Sequence, residues 1–156
     1  KMTKYRAKDV GFVFQFYNLI PTLTAIENIQ IVAEITDAPI DAKKVIDDVG
    51  LSDHKYQFPS QLSGGEQQRI SIARAVCKNP KMLLCDEPTG ALDSETGVQI
   101  LSLLQSLSRE QDKTVVIVTH NAALAQAADK VIRVKNGKIK EVTINESPKA
   151  VSEVTW

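Results

Sequence analysis

The sequence predicts an α/β fold with a mostly parallel sheet, and three observations carry that expectation. Short, nearly continuous apolar runs with polar ends recur as "VGFVF" (10–14), "KMLLCDE" (81–87) and "KTVVIVTH" (113–120), the signature of strands buried on both faces. Between them lie stretches with apolar residues at helical spacing behind capping residues. Near the end, Asn136 and Gly137 separate two alternating runs, the strongest short-range signal for a β-hairpin.

In chain order, "VGFVF" gives the first strand. "TAIENIQIVAEI" (24–35) opens with Thr24 and Glu27 in capping-box spacing, where each would satisfy a backbone N–H of the other. "DAKKVIDDVG" (41–50) closes on Gly50, the residue type that ends helices in a left-handed conformation. Ser63 and Glu66 repeat the capping box ahead of a helix whose inner face is Ile70, Ala73 and Val76 or Cys77. After the second strand, "SETGVQILSLLQSLSRE" (94–110) follows Asp93 and lines Leu101, Leu104 and Leu107 along one face. The third strand and the hairpin follow, and the sheet is expected to end there. From 144 to 156 the periodicity fades and Pro148 interrupts, which predicts a loose or weakly helical tail.

Length and composition narrow the function classes. A chain of 156 residues, 43% hydrophobic, suits one globular core. Nineteen Lys and Arg balance nineteen Asp and Glu without a basic block, so the electrostatic attraction of a nucleic-acid binder is missing. Apolar runs such as "VVIV" (115–118) are far too short to span a bilayer, so a membrane link is expected through a partner. Cys77 and Cys85 lie in apolar surroundings without metal-ligand spacing and read as small buried residues of a reducing compartment. No export leader is expected, and the start at Lys1 suggests a missing front.

Three places carry chemistry. Gly64 and Gly65 follow the cap residue Ser63, although each glycine costs a helix about 1 kcal/mol against alanine. Glycines there let a bound anion approach the helix-start N–H groups, whereas the plainer alternative is a capped helix and nothing more. Asp86 and Glu87 stand side by side at the carboxyl end of an apolar strand, where ligands of open α/β sheets gather. Neighbours on a strand point to opposite faces, so one carboxylate suits Mg²⁺, usually through water, and the other suits orienting or deprotonating a water. A pair of solvated strand-end acids is the plain alternative. His120, also at a strand end, suits a hydrogen bond to a phosphate, with a structural histidine as its alternative, and His54 in a polar loop reads as structural.

Gln15 after "VGFVF", "LSGGEQQR" (62–69), "LLCDEP" (83–88), "ALD" (91–93) and His120 fall in the order and rough spacing of ATP-binding-cassette (ABC) ATPases. They resemble the Q-loop, signature, Walker B, D-loop and H-loop, over about Tyr5 to Val142. "FVFQFYNLIPTLTAIENI" and "DEPTGALDSETG" resemble more narrowly the branch that powers lipoprotein-release, macrolide and antimicrobial-peptide export. The resemblance implies part of a P-loop NTPase-like cassette: residues 1–143 in one ATPase domain with a helical subdomain at about 22–79, then a tail from 144 to 156.

It further implies ATP and Mg²⁺ as cofactors and a head-to-tail dimer with a second cassette, in which Ser63, Gly64 and Gly65 grip the γ-phosphate of the partner's site. Asp86 would support the metal, Gln15 would sense metal and attacking water, Glu87 would be the base and His120 would contact the γ-phosphate. Asp93 would act across the dimer interface. Phe16, Tyr17, Leu19 and Ile20 would meet a transmembrane permease that holds the chain at the cytoplasmic face of the membrane, with ordinary packing under a loop as the plain alternative for these residues. No nucleic-acid partner is implied.

One family element is absent from these residues. None of the seven glycines belongs to a G-x-x-x-x-G-K-[ST] loop, whose amides and lysine cradle phosphates. The family sets that loop before the Q-loop, and only fourteen residues precede Gln15. The expectations are the C-terminal part of a longer cassette, inactive alone, with apolar sheet surface left open and a tendency to self-associate. A P-loop-less regulatory module and a soluble non-transport ATPase are the competing readings.

Overall fold

A computed structural model describes residues 9–155. Residues 1–8, with Tyr5 where the resemblance starts, and Trp156 of the expected tail lie outside the described residues. The chain forms two compact units, Lys1–Val118 and Thr119–Trp156.

In the first unit three strands, β1 (Val10–Val13), β2 (Met82–Asp86) and β3 (Thr114–Val118), pair in parallel in the order β1-β2-β3. Gly11, Leu83 and Val115 stand level across the sheet, as do Phe12, Leu84 and Val116. Four helices accompany them: α1 (Ala25–Ala33), α2 (Ala42–Asp48), α3 (Gly64–Cys77) and α4 (Ser94–Glu110). Their starts follow the sequence signals. Thr24 and Ser63 form reciprocal capping boxes with Glu27 and Glu66, and Asp41 and Asp93 cap α2 and α4. Gly50, at φ +75°, turns the chain out of α2 as expected.

The sheet differs from the sequence expectation in one respect: past Val10, which is buried, its strands leave one face largely exposed. Gly11, Val13, Leu83 and Cys85 alternate into the covered face, where α3 packs on β1 and α4 on β3. Gly11 is required there, because a β-carbon would stand 2.9 Å from Leu83 Cδ2 and 3.1 Å from the Ala75 carbonyl. On the other face Phe12, Phe14, Val116 and Val118 are exposed. The apolar runs are continuous in sequence, yet these elements cover every second residue.

α3 also exceeds its expected single inner face. From Ile70 to Cys77 every residue except Arg74 is buried, since α3 packs on α1, α2, α4 and β1. The core runs through Ile29, Ile46, Ile70, Ile72, Leu83, Ile100 and Leu104, all without exposed surface. Burial pushes the Cys85 thiol up to about 12, and Cys77 donates its S–H to the Ile40 carbonyl at 3.1 Å. Both cysteines are buried and free.

The second unit holds the hairpin β4 (Lys130–Lys135) and β5 (Lys138–Ile144), turned by Asn136 at φ 52° and Gly137 at φ 72°. It forms a two-stranded sheet of its own with a register shift between Arg133 and Val134, rather than the end of the three-stranded sheet. Beyond β5 a single helical turn, Val151–Glu153, is the regular structure of the tail.

Leu104→Ala should cost about 2–5 kcal/mol, because Leu104 is fully enclosed and its neighbours close such a cavity incompletely; urea unfolding measures it, and a change under about 1 kcal/mol would contradict the packing. The caps predict acid sensitivity. Backbone N–H donation from Thr24, Ser63 and Thr96 holds Glu27, Glu66 and Asp93 below their usual carboxylate values. A folded-state value below the unfolded one stabilises at higher pH and is lost as pH falls through it. The urea midpoint should therefore be level above about pH 5 and drop below it. A midpoint that holds steady or rises down to about pH 3 would contradict the capping contribution.

Candidate functional site

A parallel sheet gathers the carboxyl ends of its strands at one edge, here beyond Val13, Asp86 and Val118. Gln15 lies two residues past β1. Asp86 ends β2, exposed, on the open face that carries Phe12 and Leu84. Glu87 does not continue the strand. Its N–H donates to the Val118 carbonyl at 2.9 Å, its φ is 43°, and its carbonyl accepts from Gly90 N–H at 3.0 Å. Glu87 therefore lies outside the strand, in a left-handed turn, so the strand alternation that the sequence suggested does not set its direction. Such a conformation costs a non-glycine residue about 1–3 kcal/mol, so the surroundings must impose it.

Gln15 meets this turn. A β-carbon on Gly90 would lie 2.6 Å from Gln15 Nε2, so any larger residue there would push the Gln15 side chain from its place against the turn. The segment after Gln15 is braced from two helices. Tyr17 and Asn18 both adopt left-handed conformations, at φ 57° and 54°. Arg74 of α3 donates through Nη2 to the Tyr17 carbonyl at 3.2 Å and through Nη1 to the Asn18 carbonyl at 2.8 Å, and burial lowers its pKa. Asn28 of α1, fully buried, accepts from Ile20 N–H at 2.8 Å and donates to the Ile20, Leu23 and Thr24 carbonyls. Sequence reasoning passed over Asn28 and Arg74; the available signal was a polar residue between the apolar Ile26 and Ile29. Phe16 is 76% exposed, while Tyr17, Leu19 and Ile20 are half-buried.

At the head of α3, Ser63 Oγ accepts from Glu66 N–H at 3.2 Å and Ser63 N–H donates to Glu66 Oε1 at 2.9 Å. The two glycines have reasons inside the chain. A β-carbon on Gly64 would lie 2.8 Å from the Tyr17 hydroxyl, and one on Gly65 would overlap Thr96 Cγ2. Thr96 cannot easily yield, because its hydroxyl and N–H both donate to Asp93, at 2.7 and 3.0 Å. The glycines by themselves therefore do not separate an anion site from close internal packing. Asp93 is the cap of α4 and braces the residue against Gly65. Beside this helix start lies a hollow of about 280 Å³ bordered by His54, Ser63, Gly65, Glu66, Arg69 and Thr96. His54 braces the cap through Glu66 Oε2 at 3.4 Å and Gln57 Oε1 at 2.8 Å, in keeping with its structural reading.

The structure thus joins Gln15 to the Glu87 turn, Tyr17 to Gly64, and Gly65 to the Asp93 cap. His120 is exposed, two residues past β3, in the second unit. Among the described residues no three His, Cys, Asp or Glu side chains cluster as a metal cage. One carboxylate at Asp86 and one amide at Gln15 suit Mg²⁺, which keeps several waters and takes phosphate oxygens. No helix among the described residues is long and apolar enough to cross a membrane.

The chain is similar to known proteins. The chain is 45% identical over 159 residues to an ABC transporter ATP-binding protein of Mycoplasma genitalium, covering 100% of this chain and 34% of that protein. It is 42% identical over 153 residues to the lipoprotein-releasing system ATP-binding protein LolD 2 of Rhodopirellula baltica, covering 91% of this chain and 60% of the relative. The chain thus spans between about a third and three fifths of these two relatives. Its structure resembles the ATP-binding cassette MJ0796, solved as a dimer in a post-hydrolysis state bound to ADP and Pi. The TM-score is 0.78 at 39% identity, over 92% of this chain and 66% of that one. Residues 1–90, more than half of the chain, match the ABC transporter family. With signature, strand-end acids and Gln15 arranged as described, the chain belongs to the ABC transporter family.

Proposed function

We propose that the intact protein is the ATP-hydrolysing subunit of a transporter, coupling hydrolysis of ATP to ADP and phosphate to export or extraction of a substrate through a membrane partner. The observation that carries this reading is the meeting of Gln15 with the turn after Asp86 and Glu87, at the carboxyl edge of a parallel sheet. Glu87 takes the proton from the attacking water. Its left-handed backbone takes it out of the strand that ends at Asp86, so the two carboxylates do different jobs, one for the proton and the other for the metal. Asp86 supports Mg²⁺ and Gln15 senses metal and water. When bound, Mg²⁺ neutralises charge building on the phosphates. His120 donates a hydrogen bond to the γ-phosphate.

Ser63, Gly64 and Gly65 serve the nucleotide of a second cassette in a head-to-tail dimer, with Asp93 acting across the interface. Helix-start N–H groups and the helix dipole suit them to a γ-phosphate. The exposed Phe16, with the half-buried Tyr17, Leu19 and Ile20, is the contact for the permease. That contact holds the subunit, whose helical subdomain spans about 22–79, at the cytoplasmic face of the membrane.

Glu87→Gln in the intact cassette should keep ATP binding and lower turnover by about 10²–10⁴-fold, because a neutral amide cannot take a proton. Phosphate release paired with nucleotide binding checks it, and near wild-type turnover would refute the role. The 156 residues by themselves should bind ATP weakly and release phosphate negligibly, since they carry no G-x-x-x-x-G-K-[ST] loop. Family-like turnover by this chain alone would refute that.

A further inference from the structure

Gln68 of α3 has no exposed surface. Its Nε2 donates to the Pro88 carbonyl at 2.6 Å. Among the described residues its Oε1 has no hydrogen-bond partner, and neither does the hydroxyl of Ser71 one turn along the helix. Chemistry settles which end is which: only the NH₂ group donates to a carbonyl, so the oxygen is the orphan. An enclosed amide with its acceptor unused is less favourable than a methionine of similar volume, so packing alone gives no reason for glutamine here.

The reason lies at the far end of its bond. Pro88 follows Glu87, and proline offers the backbone a carbonyl but no N–H. The Glu87 turn is held upstream by the Val118 carbonyl and internally by the Gly90 N–H. A further anchor is Gln68, reaching across from α3. A left-handed residue that is not glycine relaxes unless its flanks are held.

We propose that Gln68 is a positioning residue for hydrolysis, holding the Glu87 turn through the Pro88 carbonyl and tying the direction of Glu87 to the seat of α3. The inference rests on the reading of Glu87 as the base. Ser63, Gly64 and Gly65 head the same helix, so a displacement of α3 at its phosphate-facing end reaches the catalytic turn of the same chain through one buried hydrogen bond.

The test uses the intact cassette, with turnover, nucleotide affinity and Tm measured together. Gln68→Met keeps the volume and removes the donor. Gln68→Glu keeps the volume, and its carboxyl, held neutral by burial, retains an O–H donor. Gln68→Met should retain Tm and the KM for ATP while kcat falls about tenfold or more, as expected for a misaimed catalytic group. Gln68→Glu should restore kcat to within about threefold of wild type. A Gln68→Met kcat within about twofold of wild type overturns the inference, as does a loss that merely follows the folded fraction. If Gln68→Met does not fold, Gln68→Glu decides alone: a fall of about tenfold or more at retained Tm overturns the inference. Glu87→Gln is run alongside. Turnover surviving Glu87→Gln defeats the reading of Glu87 itself, whereas a normal Gln68→Met beside an inactive Glu87→Gln defeats only the positioning role.

Discussion

The enclosure of α3 is the constraint on which the rest of the site depends. The helix is covered by α1, α2, α4 and β1, and its inner turns have almost no solvent-facing side. A helix so placed has little freedom to tilt, because packed interiors tolerate small volume changes poorly. Segments of the candidate site in the first unit are then referred to it. Ser63 caps its start, Arg74 holds the carbonyls after Gln15, and Gln68 holds the carbonyl after Glu87. Arg69 adds a bond to Gln99 of α4 at 2.6 Å.

Close approach is the second theme. Gly11 lets β1 meet α3, Gly65 lets α3 meet Thr96, and Gly90 lets the Glu87 turn meet Gln15. At each point a single methyl group would force a neighbouring backbone or side chain to move. The price is conformational entropy in the unfolded chain, offset by bringing together segments up to about 75 residues apart in sequence, as Gln15 and Gly90 are. Polar brackets complete the arrangement: the Asp93 carboxylate holds Thr96 by two bonds, and Asn28 ties the loop from Ile20 to Thr24.

These polar anchors differ in how fully they are satisfied. Asn28 uses both ends of its amide, which fits a purely structural role. Gln68, equally buried, uses one end and has no partner for the other among the described residues. Buried polar groups that break the rule of satisfaction tend to mark sites where geometry matters more than stability. The same holds for Glu87, whose left-handed backbone is unfavourable on local grounds.

What the sequence determined by itself is what local chemistry controls. The helix starts at Thr24, Asp41, Ser63 and Asp93, the turn at Gly50, the Asn136-Gly137 hairpin and the three parallel strands were all legible, because caps, turns and apolar periodicity act within a few residues. So were the motifs that set Gln15, the signature and the strand-end acids in family order. Tertiary structure decided the rest. Which sheet face is covered depends on where α3 and α4 dock, so continuous apolar runs could not announce a one-sided sheet. The departure of Glu87 from its strand depends on the Val118 carbonyl, some thirty residues away, and on Gln68, some twenty away. The glycines at 64 and 65 read as openings for a ligand, and only packing revealed Tyr17 and Thr96 beside them. Contacts between distant segments leave no periodic trace in either one, which is why the anchors of the site emerged only once the chain was folded.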